Sequence, residues 1–218
     1  MKWWKEAPEY HNDIVDSVKH YYPDLNVSYD EDQILVTGVW HVYGKEKHVV
    51  DYEIEIIIDR NYPESVPTVF EVGGDIKRCA DNHINGDGSC CLEVPPRRHE
   101  VWPIGASFKL FLDVMVHNHF YFQACKKLGI QQKEWSHETE GIFEYYGEKL
   151  DVKPSDKKKI IDLLEFSLKW STYKAGKKCP CGSKKWYSTC HHQQLSEMEK
   201  VIPRIERKRN LALLKLSA

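Results

Sequence analysis

The run from Val50 to Asp59 constrains the fold more than any other part of this chain. Val50, Tyr52, Ile54, Ile56 and Ile58 alternate with Asp51, Glu53, Glu55 and Asp59, broken only by Ile57. A period of two sends successive side chains to opposite faces of an extended backbone. One face is therefore apolar and must be covered, while the other carries acid into water. Neighbouring strands are at hand. Ile34-Leu35-Val36-Thr37-Gly38-Val39-Trp40 is β-rich, and Gly44-Lys45-Glu46-Lys47 reads as the turn between the two runs. Pro63 stops the central strand, and a further strand spans 67–72 with Pro67 confined to its start.

Helical signals surround this meander. Pro8 suits a first turn, and Ile14, Val15, Val18 and Tyr21 recur at helical spacing over 8–21, with Tyr22-Pro23-Asp24 as the stop. Phe108 to Val116 reads as a buried helix with Ser107 as N-cap. Ile142, Phe143, Tyr146 and Leu150 mark another helix after Ser136. Ser155 caps a helix running to about Lys174, and Gly176 ends it. Residues 194–217 read as one basic helix kinked at Pro203. The class expected is α+β, an antiparallel meander with flanking helices followed by a helical appendage. Composition sets the boundary. Residues 1–152 hold 15 Lys and Arg against 27 Asp and Glu, whereas 153–218 hold 16 against 6. The chain is expected to divide into a larger domain, 1–152, and a basic tail, 153–218.

Residues 73–106 form a long Gly- and Pro-rich stretch, and such loops are usually functional. It contains His83-Ile84-Asn85-Gly86-Asp87-Gly88-Ser89-Cys90-Cys91-Leu92. A thiolate is the strongest protein nucleophile at neutral pH, and an upstream amide can donate to a developing oxyanion. Adjacent residues in an extended segment point opposite ways, so Cys90 is expected inside and Cys91 outside. The residues alone leave other readings open. Cys90 could be the nucleophile; Cys79, His83, Cys90 and Cys91 could hold a metal; or Cys91 could work with His99, His117 or His119 as a protease, although no Cys-Gly-x-Cys-Trp pattern is present. His117 and His119 also read as capping or core hydrogen-bond residues, and Arg97-Arg98-His99 as a solvated basic turn.

Three signals in order, Tyr62-Pro63-Glu64-Ser65-Val66-Pro67-Thr68-Val69-Phe70, the His83–Leu92 loop and Trp102-Pro103, resemble the ubiquitin-conjugating enzyme family over roughly residues 8–150. Ile84 at the family's Pro position, Cys90 at its Ile position and a shorter His-to-Cys interval point to a divergent, prokaryote-type member. The resemblance implies that fold, with Cys91 as the thioester-forming residue, Asn85 as the oxyanion donor and His83 as a brace of the loop. It implies a transferase that accepts the C-terminal carboxyl of a protein as a thioester and passes it to an amine. The chain has no nucleotide-binding Gly-rich loop, so either an activating enzyme acts in trans or the substrate arrives activated. Bacterial proteins that look like this occur in anti-phage operons, where the carried protein is a cyclic-oligonucleotide synthase; other operons supply a ubiquitin-like protein. A non-catalytic protein-binding adaptor on the same fold is the alternative.

The tail carries Cys179-Pro180-Cys181-Gly182-Ser183-Lys184-Lys185-Trp186-Tyr187-Ser188-Thr189-Cys190-His191. Three thiolates and an imidazole suit tetrahedral zinc, and no open coordination position is suggested, so the metal is expected to be structural. The ligands expected are Cys179, Cys181, Cys190 and His191, with His192 as the alternate fourth. The stretch is similar to the SEC-C zinc motif, whose relatives bind proteins or act as adaptors, and it defines a module at 176–192. Trp186 and Tyr187 are expected to pack its small core.

The remaining expectations are exclusions. No run of about 18 apolar residues is present, so no membrane span is expected. Met1-Lys2-Trp3-Trp4-Lys5-Glu6 has no apolar segment of the secretory kind, and the odd cysteine count with an adjacent pair does not suit a disulfide framework. A cytoplasmic location is expected, with protein partners rather than nucleic acid.

Overall fold

Pro8 takes the first position of helix α1 (Pro8–Tyr21), where its missing N–H costs nothing. Ile14 and Val18 lie on its buried side. Four antiparallel strands follow in sequential order: β1 (Leu25–Asp30), β2 (Gln33–Tyr43), β3 (His48–Ile58) and β4 (Thr68–Glu71). Next come the short helical turn Phe108–Leu110, the π-helical Phe111–Val116 and helix α2 (His117–Lys127). Among the described residues four more helices of ten residues or longer follow: α3 (Glu138–Leu150), α4 (Lys157–Ser167), α5 (His192–Val201) and α6 (Arg204–Leu216). The computed structural model describes residues 2–44, 47–132, 135–169, 174 and 176–217. The class is α+β.

The chain divides into two units, Met1–Glu93 with Ile104–Lys133 and Val94–Pro103 with Glu134–Ala218. The composition shift at 152 therefore lies inside the second unit.

In the first unit the alternation of β3 becomes burial. Tyr52, Ile54, Ile56 and Ile58 are almost fully buried. Asp51 and Glu53 are exposed, and Ile57 lies half-buried on the outer face opposite Leu35. Helix α2 covers the inner face, with the Phe120 ring 5.0 Å from Tyr52 and 6.5 Å from Trp40. Ser107 accepts from the Leu110 N–H at 3.2 Å, as its N-cap reading requires. Asp13 accepts from the Phe108 N–H at 2.6 Å and ties α1 to this helical run. The run continues to Lys127, well past the Val116 stop read from apolar spacing, because His119 and Gln123 are buried polar residues that interrupt the pattern. Strand β1 gives no alternation in sequence, since only Leu25 of its six residues is buried.

The second unit has its own apolar core. It includes Val94, Phe143, Tyr146, Leu150, Leu164 and Leu195. Residues 95–101 form helical turns that are partly buried instead of a solvated basic turn, and Glu100 pairs with Lys149 at 2.6 Å. Helix α4 takes Asp156 as N-cap instead of Ser155. The expected extension of α4 to Lys174 falls partly on 170–173, outside the described residues; Leu168 is already the C-cap. The basic helix read over 194–217 is two helices. A proline disfavours α backbone at the residue before it, and Ile202 is accordingly extended. The buried Arg207 guanidinium donates to the Ile202 carbonyl at 3.1 Å and to the Ser167 carbonyl and hydroxyl at 3.2 and 2.9 Å. It thereby satisfies acceptors that the helix breaks leave open. Much of the basic charge is used within the unit, through the pairs Lys157–Glu140, Lys174–Glu199 and Lys215–Glu165.

Burial predicts an asymmetry along β3. Ile56→Ala should lower unfolding stability by about 2–5 kcal/mol, as core truncations do. Ile57→Ala on the outer face should cost about 1 kcal/mol or less. Denaturant titration of both variants measures this, and equal costs would contradict the placement of the two faces.

Candidate active site and metal centre

The cysteine pair lies on a short hairpin bonded to the sheet edge. Chain 83–91 folds back on itself: the Asn85 N–H donates to the Ser89 carbonyl at 2.8 Å, and the Cys91 N–H to the His83 carbonyl at 2.7 Å. Ile84 and Cys90 form an antiparallel bridge, as do Phe70 and Ser89. The Cys90 N–H donates to the Val69 carbonyl at 2.7 Å, so the returning limb of the hairpin extends the sheet beyond β4. Alternation along that limb then separates the sulfurs. Cys90 is buried, and burial pushes its thiol up to about 12, while Cys91 is only half-buried. Of the two, Cys91 is the one open to solvent.

His83 holds a left-handed backbone, φ 51 and ψ 42, which costs a residue with a Cβ on the order of 1 kcal/mol. It is kept there from three sides. Its N–H donates to the Ala80 carbonyl at 2.7 Å, its carbonyl accepts from Cys91, and its ring packs edge-on against Phe122 at 5.2 Å. Asn85 is exposed and its amide donates to the Ser89 hydroxyl at 3.0 Å. Ser89 in turn donates its hydroxyl and its N–H to Asp87 at 2.7 and 2.9 Å. Here Asn85 therefore braces the turn. At the start of the loop the buried Glu71 carboxylate accepts from the N–H groups of Asp75 and Ile76 at 3.2 and 3.3 Å.

His119 of α2 stands behind the cysteine. Its ring donates to the Cys91 backbone, burial pushes its pKa down to about 4, and its Nε2 is buried with no hydrogen-bond partner. The imidazole is neutral at pH 7 and fixes the Cys91 backbone from inside. The sequence offered it as a core hydrogen-bond residue and, in the protease reading, as a base; its contact with Cys91 is to the main chain.

Metal-ligand clusters are two among the described residues, and Cys79, His83, Cys90 and Cys91 are not one of them. The first cluster is Cys179, Cys181, Cys190 and His191, whose ligand atoms all lie within 4.8 Å of one another. His191 Nδ1 lies 3.3 Å from the Cys179 sulfur and 3.2 Å from that of Cys190; the Cys181 and Cys190 sulfurs are 3.6 Å apart. The other His191 nitrogen donates to the Leu150 carbonyl, which fixes the tautomer that turns Nδ1 toward the sulfurs. A small hairpin presents the set: the Cys179 N–H donates to the Lys185 carbonyl and the Tyr187 N–H to the Lys177 carbonyl, both at 2.9 Å. Gly182, at φ +83, makes the turn that brings the thiols together. These residues can hold a metal ion. Tyr187 packs inward on Phe166 at 5.0 Å, but Trp186 is half-exposed under the Lys178 ammonium and not part of the core. The sequence reading missed the second cluster, His41, His48 and Asp51.

No helix among the described residues is long and apolar enough to cross a membrane. No family model matches the chain, and no curated protein matches it.

Two outcomes follow from burial. Alkylation near pH 8 should modify Cys91 well before Cys90, because the thiolate is the reacting form and burial suppresses it at Cys90. Peptide mass mapping after limited iodoacetamide treatment reads the order, and early loss of Cys90 would overturn it. His119 stays neutral when folded and titrates near its ordinary 6.5 when unfolded. The unfolded chain then binds the extra proton between pH 6.5 and 4, so stability falls as pH falls through that window and levels off below it. His119→Gln should remove a loss of about 3 kcal/mol from that window in denaturant titrations. An unchanged pH profile in the variant would contradict the assignment.

Proposed function

We propose that the chain is a ubiquitin-conjugating-like acyl carrier with Cys91 as its thioester site. What supports this reading most is the presentation of Cys91. Its backbone is bound from the front by His83 and from behind by His119, while its neighbour Cys90 is hidden. A reacting thiol held by main-chain bonds keeps its position through two successive substitutions. In the first, the Cys91 thiolate adds to the activated C-terminal carbonyl of a protein, the activating group leaves with its electron pair, and a thioester remains. In the second, an amine adds to that carbonyl. The tetrahedral oxyanion collapses to the amide, Cys91 leaves as thiolate, and the proton of the amine passes to solvent. The activated carboxyl comes from a separate activating enzyme or with the substrate itself. The order of helix, four-strand meander and cysteine hairpin is compatible with that fold family. A cyclic-oligonucleotide synthase or a ubiquitin-like protein, in bacterial anti-phage defence, is the carried protein that the sequence resemblance favours.

Asn85 would leave Ser89 to donate to the oxyanion in the second step. Its exposure on the hairpin and its one side-chain partner, the Ser89 hydroxyl, support that exchange.

The metal of the tail is proposed to be zinc, held by Cys179, Cys181, Cys190 and His191. Zinc–sulfur and zinc–nitrogen bonds of about 2.3 and 2.0 Å give tetrahedral edges of roughly 3.5–3.8 Å. The contacts of 3.2–3.6 Å are close to that figure. Cys179, Cys181 and Tyr187 belong to the second unit's core, so metal binding would contribute folding free energy to the unit as a whole.

Two experiments test the reading. The tagged chain recovered from cells without reductant should carry a thiol-labile protein adduct, lost in Cys91→Ala and kept in Cys90→Ala; an adduct that survives Cys91→Ala would refute the site. Asn85→Ala should slow discharge to an amine by about 10²-fold with less effect on loading, and equal effects would confine Asn85 to the turn. For the tail, elemental analysis should find zinc. Chelation should melt helical dichroism of the second unit, which an unchanged spectrum would contradict.

A further inference from the structure

We propose that His41, His48 and Asp51 form a second metal site, selective for a divalent first-row cation of the zinc type and distinct from the cysteine cluster of the tail.

The site is made by a fault in the sheet. His41 on β2 pairs directly with Asp51 on β3, so their side chains share the outer face. By strand parity His48 would point to the other face. The register shifts between Val42 and Tyr43, however: Val42 pairs with Val50 and Tyr43 with His48, and Val49 is passed over. A bulge of this kind re-aims the side chains beyond it. Here it turns His48 onto the face of His41 and Asp51. His41 Nδ1 and His48 Nε2 then lie 2.6 and 2.5 Å from the same Asp51 oxygen.

Hydrogen-bond inventory calls for positive charge there, supplied by a second ring proton or by a metal ion. A neutral imidazole has one N–H and one lone pair. Both nitrogens of His41 face carboxylate oxygens, Nε2 at 2.9 Å from Asp24 and Nδ1 at 2.6 Å from Asp51. With the proton on Nε2, the Nδ1 lone pair would point at an anionic oxygen. A second ring proton removes that conflict, and so does a divalent ion that replaces it, with Nδ1, the His48 ring and Asp51 opening from 2.5–2.6 Å to the roughly 3 Å that ligands of one ion require. Asp24 then takes the outer role that carboxylates play behind metal-bound histidines, setting the tautomer and orientation of the ring.

Asp24 is itself positioned for this. The Val39 N–H donates to its carbonyl at 3.1 Å, and that approach needs Gly38, where a Cβ would fall 2.1 Å from the Asp24 carbonyl oxygen. Two imidazole nitrogens and one carboxylate oxygen suit zinc, nickel, cobalt or ferrous iron better than calcium or magnesium. Three protein ligands leave coordination positions for water or a small ligand.

Metal titration of the full chain tests this with Zn²⁺ and Co²⁺ alone as probes. The unmutated chain should bind two equivalents. With Co²⁺, one should show sulfur-to-metal charge transfer and the other only the spectrum of a nitrogen and oxygen site. His48→Gln and Asp51→Asn should lose the second equivalent and keep the first; Cys181→Ser should do the reverse. Asp24→Asn should weaken the second by about 10–100-fold. In the unmutated chain Zn²⁺ should also shift the ring resonances of His41 and His48, a reading that needs no variant. A single equivalent in the unmutated chain, a second equivalent indifferent to His48→Gln and Asp51→Asn, or unmoved His41 and His48 resonances would each overturn the proposal.

Discussion

Two main-chain hydrogen bonds set the chemistry of the adjacent cysteines: Cys90 N–H to Val69, and Cys91 N–H to His83. The first makes this limb of the hairpin an edge extension of the sheet, and a strand must alternate its side chains. Which sulfur is buried is then fixed by register alone. The second ties Cys91 to a residue held in a left-handed conformation. A one-residue slip would exchange the environments of the two thiols. Cys90 would face solvent and Cys91 would be masked by burial. The bonds of Asn85, Ser89 and Asp87 oppose such a slip by closing the turn around one register.

The second unit secures its geometry differently. Its hairpin at 177–187 is short, and the four ligand-type side chains converge where an apolar cluster would otherwise be needed. Cys179 and Cys181 are buried with Leu195, Phe143 and Tyr146 in one core. His191 reaches the Leu150 carbonyl at the end of α3 and so ties the ligand set to a helix of the same unit. Arg207 does comparable work at the Pro203 break, exchanging free carbonyls for guanidinium bonds.

What could be read from the sequence was whatever depends on local periodicity or spacing. The strand at 50–59, the Ser107 cap, the Pro8 helix start and the Cys-x-Cys…Cys-His ligand set are all of that kind. Features that depend on distant partners were not legible. Strand β1 buries only Leu25, so it has no pattern to see. The role of His119 rests on the Cys91 main chain, which leaves no trace in side-chain identity. His41, His48 and Asp51 meet through a bulge, and spacing on one strand cannot reveal a register shift against another. The change of charge at 152 marks no structural division, because Tyr146 and Leu150 on one side of it pack into the core formed with the tail helices. Surface charge follows function and solubility, whereas units are defined by shared apolar burial.

The central claim is that this hairpin presents Cys91, and not Cys90, as an acyl acceptor. Replacing the thiol with an amine tests it most directly, because an amide does not turn over. Cys91→Lys expressed in cells should accumulate a conjugate stable to thiols, and fragmentation of the joined peptide should place the new amide on residue 91 with the C-terminal residue of another protein. A conjugate mapped to position 90 in Cys90→Lys, with none at position 91 in Cys91→Lys, would contradict the account.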